Sequence, residues 1–122
     1  MTVVGLFSVH VTIRNVAEPH RLRDLELLVD TGSLFTWVAA PVLSEIGIIP
    51  AETRQFRTIT GSLIERKMGY ALVAWNGRTG SINVVFGEPG DVAVLGVTAL
   101  ESLTVTADPI QQTLIPTVAL AV

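Results

Sequence analysis

Leu27-Leu28-Val29-Asp30-Thr31-Gly32-Ser33 restricts this chain more than any other stretch, because three aliphatic residues run straight into an acid and a small, turn-forming tail. An ionised carboxylate at the end of an apolar run is costly unless it is solvated, paired or chemically employed. Any fold must therefore bury residues 27–29 and still bring Asp30 somewhere wet or partnered. In one reading Asp30 merely ends a strand, its carboxylate bonds nearby backbone N–H groups, and Gly32 supplies the positive φ of the turn. In the other, Asp30 is catalytic, Thr31 braces its loop and Gly32 lets a substrate backbone come close. Average residue usage makes an accidental Asp-Thr-Gly in a chain of this length roughly a few-per-cent event.

The flanking pattern is that of a β protein. Phe7, Val9, Val11 and Ile13 alternate with Ser8, His10, Thr12 and Arg14, and Leu25, Leu27 and Val29 alternate up to Asp30, the period of two of half-buried strands. Turn chemistry at residues 14–21 joins them into a hairpin that feeds the Asp30 loop. Residues 34–38 read as a strand, and 41–46 as a short helix with Pro41 at its start and Gly47 at its end. Residues 55–60 and 63–74 flank Thr60-Gly61-Ser62 as a hairpin with a permissive tip. Asn76-Gly77 marks a type I′ turn between residues 70–75 and 79–86. Residues 87–91 are a loop by composition, 92–96 a buried strand, and 98–103 a short helix with Leu100 and Leu103 on one face. Apolar strand, Gly-bearing turn and short helix thus occur twice, so the two halves look like weakly related copies. Residues 104–107 and 113–115 flank a proline turn at 108–111, and the apolar run 117–122 is an unprotected edge if left in water.

Composition narrows the function classes. A chain of 122 residues is one domain by length, and 49% hydrophobic against 16% charged residues is apolar for its size, which places some of its surface in a subunit interface. A net charge of −3 without a basic stripe argues against nucleic acid. Cysteine is absent, so disulfides and thiolate chemistry are excluded and a reducing, cytoplasmic setting fits. No signal peptide is expected at the start, nor a membrane span anywhere. His10 and His20 lack a metal-ligand spacing and read as surface residues. No Walker or dinucleotide fingerprint occurs, so neither metal nor cofactor is expected.

Leu-Leu-Val-Asp-Thr-Gly-Ser at 27–33, followed much later by Ala93-Val94-Leu95-Gly96 and a short helix, resembles the retropepsin family of aspartic proteases over roughly residues 25–116. The resemblance implies an all-β, closed-barrel fold with one or two short helices, acting as an aspartic endopeptidase on peptide or protein substrates. It makes Asp30 the catalytic acid, with Thr31, Gly32 and Ser33 as loop support. Thr60, Gly61 and Ser62 become the tip of a flap over bound peptide, and Leu95 and Gly96 the pocket wall. Ser33, where viral members have Ala, is expected to bond the carboxylate and lower its pKa, giving an acidic-to-neutral optimum.

This chain holds one Asp-Thr-Gly. A lone carboxylate can accept a proton from water but cannot at the same time donate one to a carbonyl. Two carboxylates at about 3 Å share a proton and do both, which is the general behaviour of aspartic protease pairs. A homodimer meeting at Asp30 is thus required, with residues 1–5 and 117–122 expected to interleave between copies. Viral members pair an Asp after the catalytic triplet with an Arg after the second Gly; here Leu34 and Val97 stand instead, so no orphan charge is buried. The rival class is a dimeric module on the same fold that holds extended peptide by strand addition without cutting it.

Overall fold

Residues 7–121 are described by a computed structural model of the chain. Expected residues 1–5 and the final Val122 of the interleaving ends fall outside that range. Strand β1 (Ser8–Arg14) pairs antiparallel with β2 (Leu22–Val29), Val9 opposite Leu27 and Val11 opposite Leu25. Val9, Val11 and Ile13 point inward as the alternation predicts. Asn15 makes the turn between them: buried, it donates from Nδ2 to the Ile46 carbonyl and accepts the Ala17 and Glu18 N–H groups on Oδ1.

The chain continues through β3 (Thr36–Ala39), helix α1 (Ala40–Glu45), β4 (Glu52–Arg57), β5 (Leu63–Trp75), β6 (Arg78–Gly87), β7 (Val94–Leu95), helix α2 (Val97–Leu103), β8 (Val105–Asp108) and β9 (Thr113–Pro116). The fold is all-β in class. Seven strands among the described residues form one mixed sheet in the order β1-β2-β7-β3-β6-β5-β4, and β1 also pairs with β5, so the sheet closes on itself. Strands β8 and β9 make a separate two-stranded sheet. Leu27, Leu43, Leu95, Leu103 and Ile13 are among the most deeply buried side chains, each contributing about 2 kcal/mol by burial.

Several boundaries deserve a physical reason. Asn76 and Gly77 both have positive φ, 47° and 81°, as a type I′ turn requires. Strand β7 is only two residues long, not the expected 92–96, and Val92 is 64% exposed. It is a short insertion between β2, to which it runs parallel, and β3, to which it runs antiparallel, so only the rungs beside those strands are bonded. Helix α2 ends at Thr104 in the left-handed conformation, and Arg78 donates to the Leu103 and Thr104 carbonyls there. Residues 117–121 form no strand, and Val118 and Leu120 are each 95% exposed. No helix among the described residues is long and apolar enough to cross a membrane.

Candidate active site

Asp30 is placed by two neighbouring strands. Leu28 pairs with Val94 and Val29 with Leu95 in the parallel β2–β7 ladder, and one residue further the Asp30 N–H donates to the Leu95 carbonyl at 3.0 Å. The backbone under the acid is therefore fixed by β7. The side chain is half-buried and accepts the Gly32 N–H on Oδ1 at 2.9 Å, while the Ser33 N–H donates to the Asp30 carbonyl at 3.1 Å. Thr31 and Gly32 are exposed at the tip of the turn. Among the described residues the left-handed glycines are Gly47, Gly61, Gly77 and Gly90. Gly32 is not among them, so the turn does not depend on a positive φ there; what Gly32 supplies is the N–H on the carboxylate.

Two expectations are corrected. The Ser33 hydroxyl gives its proton to the Phe35 carbonyl at 2.8 Å, closing its own turn instead of supporting the Asp30 carboxylate. Leu95 is 0% exposed, so it is a core residue whose carbonyl holds Asp30, not part of a pocket wall. An apolar residue before a Gly looks the same in sequence in either role.

Gly96 acts as the seat of the loop. A Cβ there would lie inside contact distance of the Phe35 carbonyl and 2.9 Å from the Ser33 carbonyl oxygen, so the close approach demands the absence of a side chain. Around it the loop is laced to the start of α2. Val97 N–H donates to Ser33 O at 2.8 Å, and the Thr98 N–H and hydroxyl both donate to Leu34 O, at 3.2 and 2.6 Å. The fully buried Thr36 hydroxyl accepts the Gly96 N–H at 3.1 Å. Neutral hydrogen bonds thus connect residues 33–36 with residues 96–98. Nothing in the sequence distinguishes Thr36 or Thr98, because a threonine in a strand or at a helix start carries no signal until its distant partner is known.

The β4–β5 hairpin stands beside this loop. Its tip is closed by Thr58 N–H to Ser62 O and Gly61 N–H to Thr58 O, at 2.8 and 2.9 Å, with Gly61 at φ 89°. Thr60 and Ser62 are exposed; the Thr58 and Thr60 hydroxyls bond each other at 3.0 Å and the Ser62 N–H donates to Thr58 Oγ1. The hairpin meets the segment after Asp30 near its tip: Phe56, one rung below the Arg57–Leu63 pair that leads into the turn, packs edge-on against Phe35 and Trp37, with ring centroids 6.3 and 5.1 Å apart, and the Arg54 guanidinium lies 5.4 Å over Phe35.

A hollow of about 470 Å³ lies instead at the β1–β5 seam, lined by residues such as His10, Arg14, Asp24 and Trp75, with Asp30 not among its walls. His10 and His20 are exposed beside Glu26 and Glu18. No group of three or more metal-ligating side chains occurs among the described residues. The site therefore offers a partly solvated carboxylate on a rigid seat, flanked by an aromatic wall and a protruding hairpin. No family model matches this chain, and no curated protein matches it.

Proposed function

We propose that this chain is a retropepsin-like aspartic endopeptidase that works as a cytoplasmic homodimer. The observation that carries the reading is the seating of Asp30: an acid at the end of an apolar strand, held through its backbone by Leu95 and through its carboxylate by Gly32, yet half-exposed at a loop tip. The Gly32 bond is one that a merely strand-ending acid would also make, but Asp30 has no ion pair among the described residues and its carboxylate stays partly solvated. The exposed apolar side chains Leu34, Ile59, Val118 and Leu120 support a partner surface.

In the proposed reaction two Asp30 carboxylates share one proton. The ionised one takes a proton from a water molecule as its oxygen attacks the scissile carbonyl. The protonated one gives its proton to the carbonyl oxygen, and the tetrahedral intermediate then expels the amine after protonation of the nitrogen. Thr31, at the exposed tip, faces its copy across the two-fold axis, Gly32 admits the substrate main chain, and residues 58–62 close over it.

The test is digestion of an unfolded protein and of a peptide library by the wild type and by Asp30→Asn. The substituted amide keeps its oxygen for the Gly32 N–H, so the fold survives. Cleavage by the wild type alone supports the reading. Cleavage that persists in Asp30→Asn overturns it, and peptide capture with no cleavage by either protein replaces it with a binding module.

A further inference from the structure

The β4–β5 hairpin changes character along its length. Met68 pairs with both Glu52 and Val85, but residues 63–67 pair with β4 alone. Beyond Met68 the hairpin is a two-stranded ribbon leaving the barrel, and such ribbons are marginal in water without further contacts. Its tip bonds are internal to the hairpin. Its direction must therefore be set by the side-chain contacts that its two strands make with the rest of the fold.

Two such contacts occur. One is Phe56, a rung from the tip turn, against Phe35 and Trp37. The other is Arg66, two residues outward from Met68. Its guanidinium donates to both carboxylate oxygens of Asp91, Nε to Oδ2 at 2.7 Å and the second nitrogen to Oδ1 at 3.0 Å, with Glu88 3.7 Å away. The Arg66 and Asp91 side chains are 13% and 18% exposed, much less than those of the other ion pairs among the described residues. Asp91 also accepts the Glu88 N–H at 2.7 Å, which folds its loop around the carboxylate. Arg54 stands directly opposite Arg66 across the strands, and like charges so placed repel, but Glu52 takes up Arg54. Asp91 lies in the loop that leads into β7, whose Leu95 carbonyl holds Asp30.

We infer that Arg66 and Asp91 form a clasp at the hinge of the hairpin that fixes its height over Asp30, making both positioning residues for peptide binding. The inference rests on the peptidase reading for its functional consequence, but not for the clasp itself. Bidentate geometry matters because it fixes an orientation as well as a distance. Releasing it leaves the Phe56 contact to hold the ribbon and so loosens the hairpin, while leaving the Asp30 loop on Gly96.

The experiment compares the wild type with Arg66→Met, Asp91→Asn, the double variant and Arg66→Lys, reading peptide hydrolysis and amide hydrogen exchange. Expected is a rise in KM of roughly 10-fold in each single variant with kcat little changed, as for loss of binding and not of chemistry. The double variant should be no worse than the poorer single one, and Arg66→Lys should be intermediate, since an ammonium keeps the charge without the fork. Exchange should accelerate in residues 52–67 and not in β1 or β2. Unchanged KM and uniform exchange would overturn the clasp even if melting temperature drops. If the wild type cleaves nothing, the peptidase reading fails, and exchange confined to the hairpin still decides whether the clasp exists.

Discussion

Replacing Gly96 by Ala tests the seat beneath the Asp30 loop. Its backbone is extended, at φ −84° and ψ 171°, so alanine meets no conformational penalty and the whole effect is steric. The added methyl collides with backbone, the carbonyls of Phe35 and Ser33, which cannot rotate away as a side chain would. Overpacking of this kind costs about 1–3 kcal/mol. Lifting the loop also stretches the bonds from Val97 N–H, Thr98 and Gly96 N–H, each worth about 1 kcal/mol net. Loss of one or two of them brings the expected destabilisation to about 3–4 kcal/mol, a large share of the roughly 5–15 kcal/mol of a typical domain. Urea unfolding followed by circular dichroism measures it, with the slope required to stay constant. Gly90→Ala is the control: at φ 94° with nothing within 4 Å, it bears only backbone strain of about 1 kcal/mol. If Gly96→Ala costs no more than the control, the loop does not rest on Gly96 and the account of how Asp30 is held is wrong.

Three further outcomes are expected. Thr36→Val keeps the shape but leaves the buried Gly96 N–H without an acceptor, costing about 1–3 kcal/mol, while Thr36→Ser restores most of it; equal stabilities for Val and Ser would refute the bond. The Arg66 hydrogen bond holds the Asp91 carboxyl below its ordinary range, against the opposing effect of burial. A depressed folded pKa contributes stability that is present above the unfolded value of about 3.9 and is lost as pH falls through the folded one. The stability gap between wild type and Asp91→Asn should thus be constant near neutrality and shrink below about pH 4, and urea midpoints that converge on raising the pH instead would contradict it. Thr98→Val removes one of two donors to Leu34 O and should lower stability by about 1 kcal/mol, with a fall in kcat larger than any change in KM in steady-state kinetics.

Much of the scaffold was legible because it rests on local chemistry. The period of two in residues 7–13 and 25–29, the Asn76-Gly77 turn and Pro41 in the first turn of a short helix each declare themselves within a few residues, and each is observed. Leu100 and Leu103 on one face declare the second helix, and both are buried in it. What stayed hidden depends on partners distant in the chain. Thr36 matters only because Gly96 lies beside it, and Arg66 only because Asp91 faces it. Ser33 was assigned to the nearest acid, but the Phe35 carbonyl two residues on offered its hydroxyl a shorter route. Thr104 in the left-handed region reads as an ordinary residue, because the Arg78 contact that satisfies the helix end is unseen in the sequence.

In the proposed mechanism one acid per chain is too few, and a second copy supplies its twin. That requirement is tested most directly by measuring peptide hydrolysis at a fixed amount of wild-type chain while Asp30→Asn chain is added and allowed to exchange, with the mass in solution followed by sedimentation. A homodimeric centre predicts dimer mass and activity falling to about half at equal amounts, since half of the wild-type chains then face a mutant partner. Full activity throughout, carried by a species of monomer mass, would contradict it.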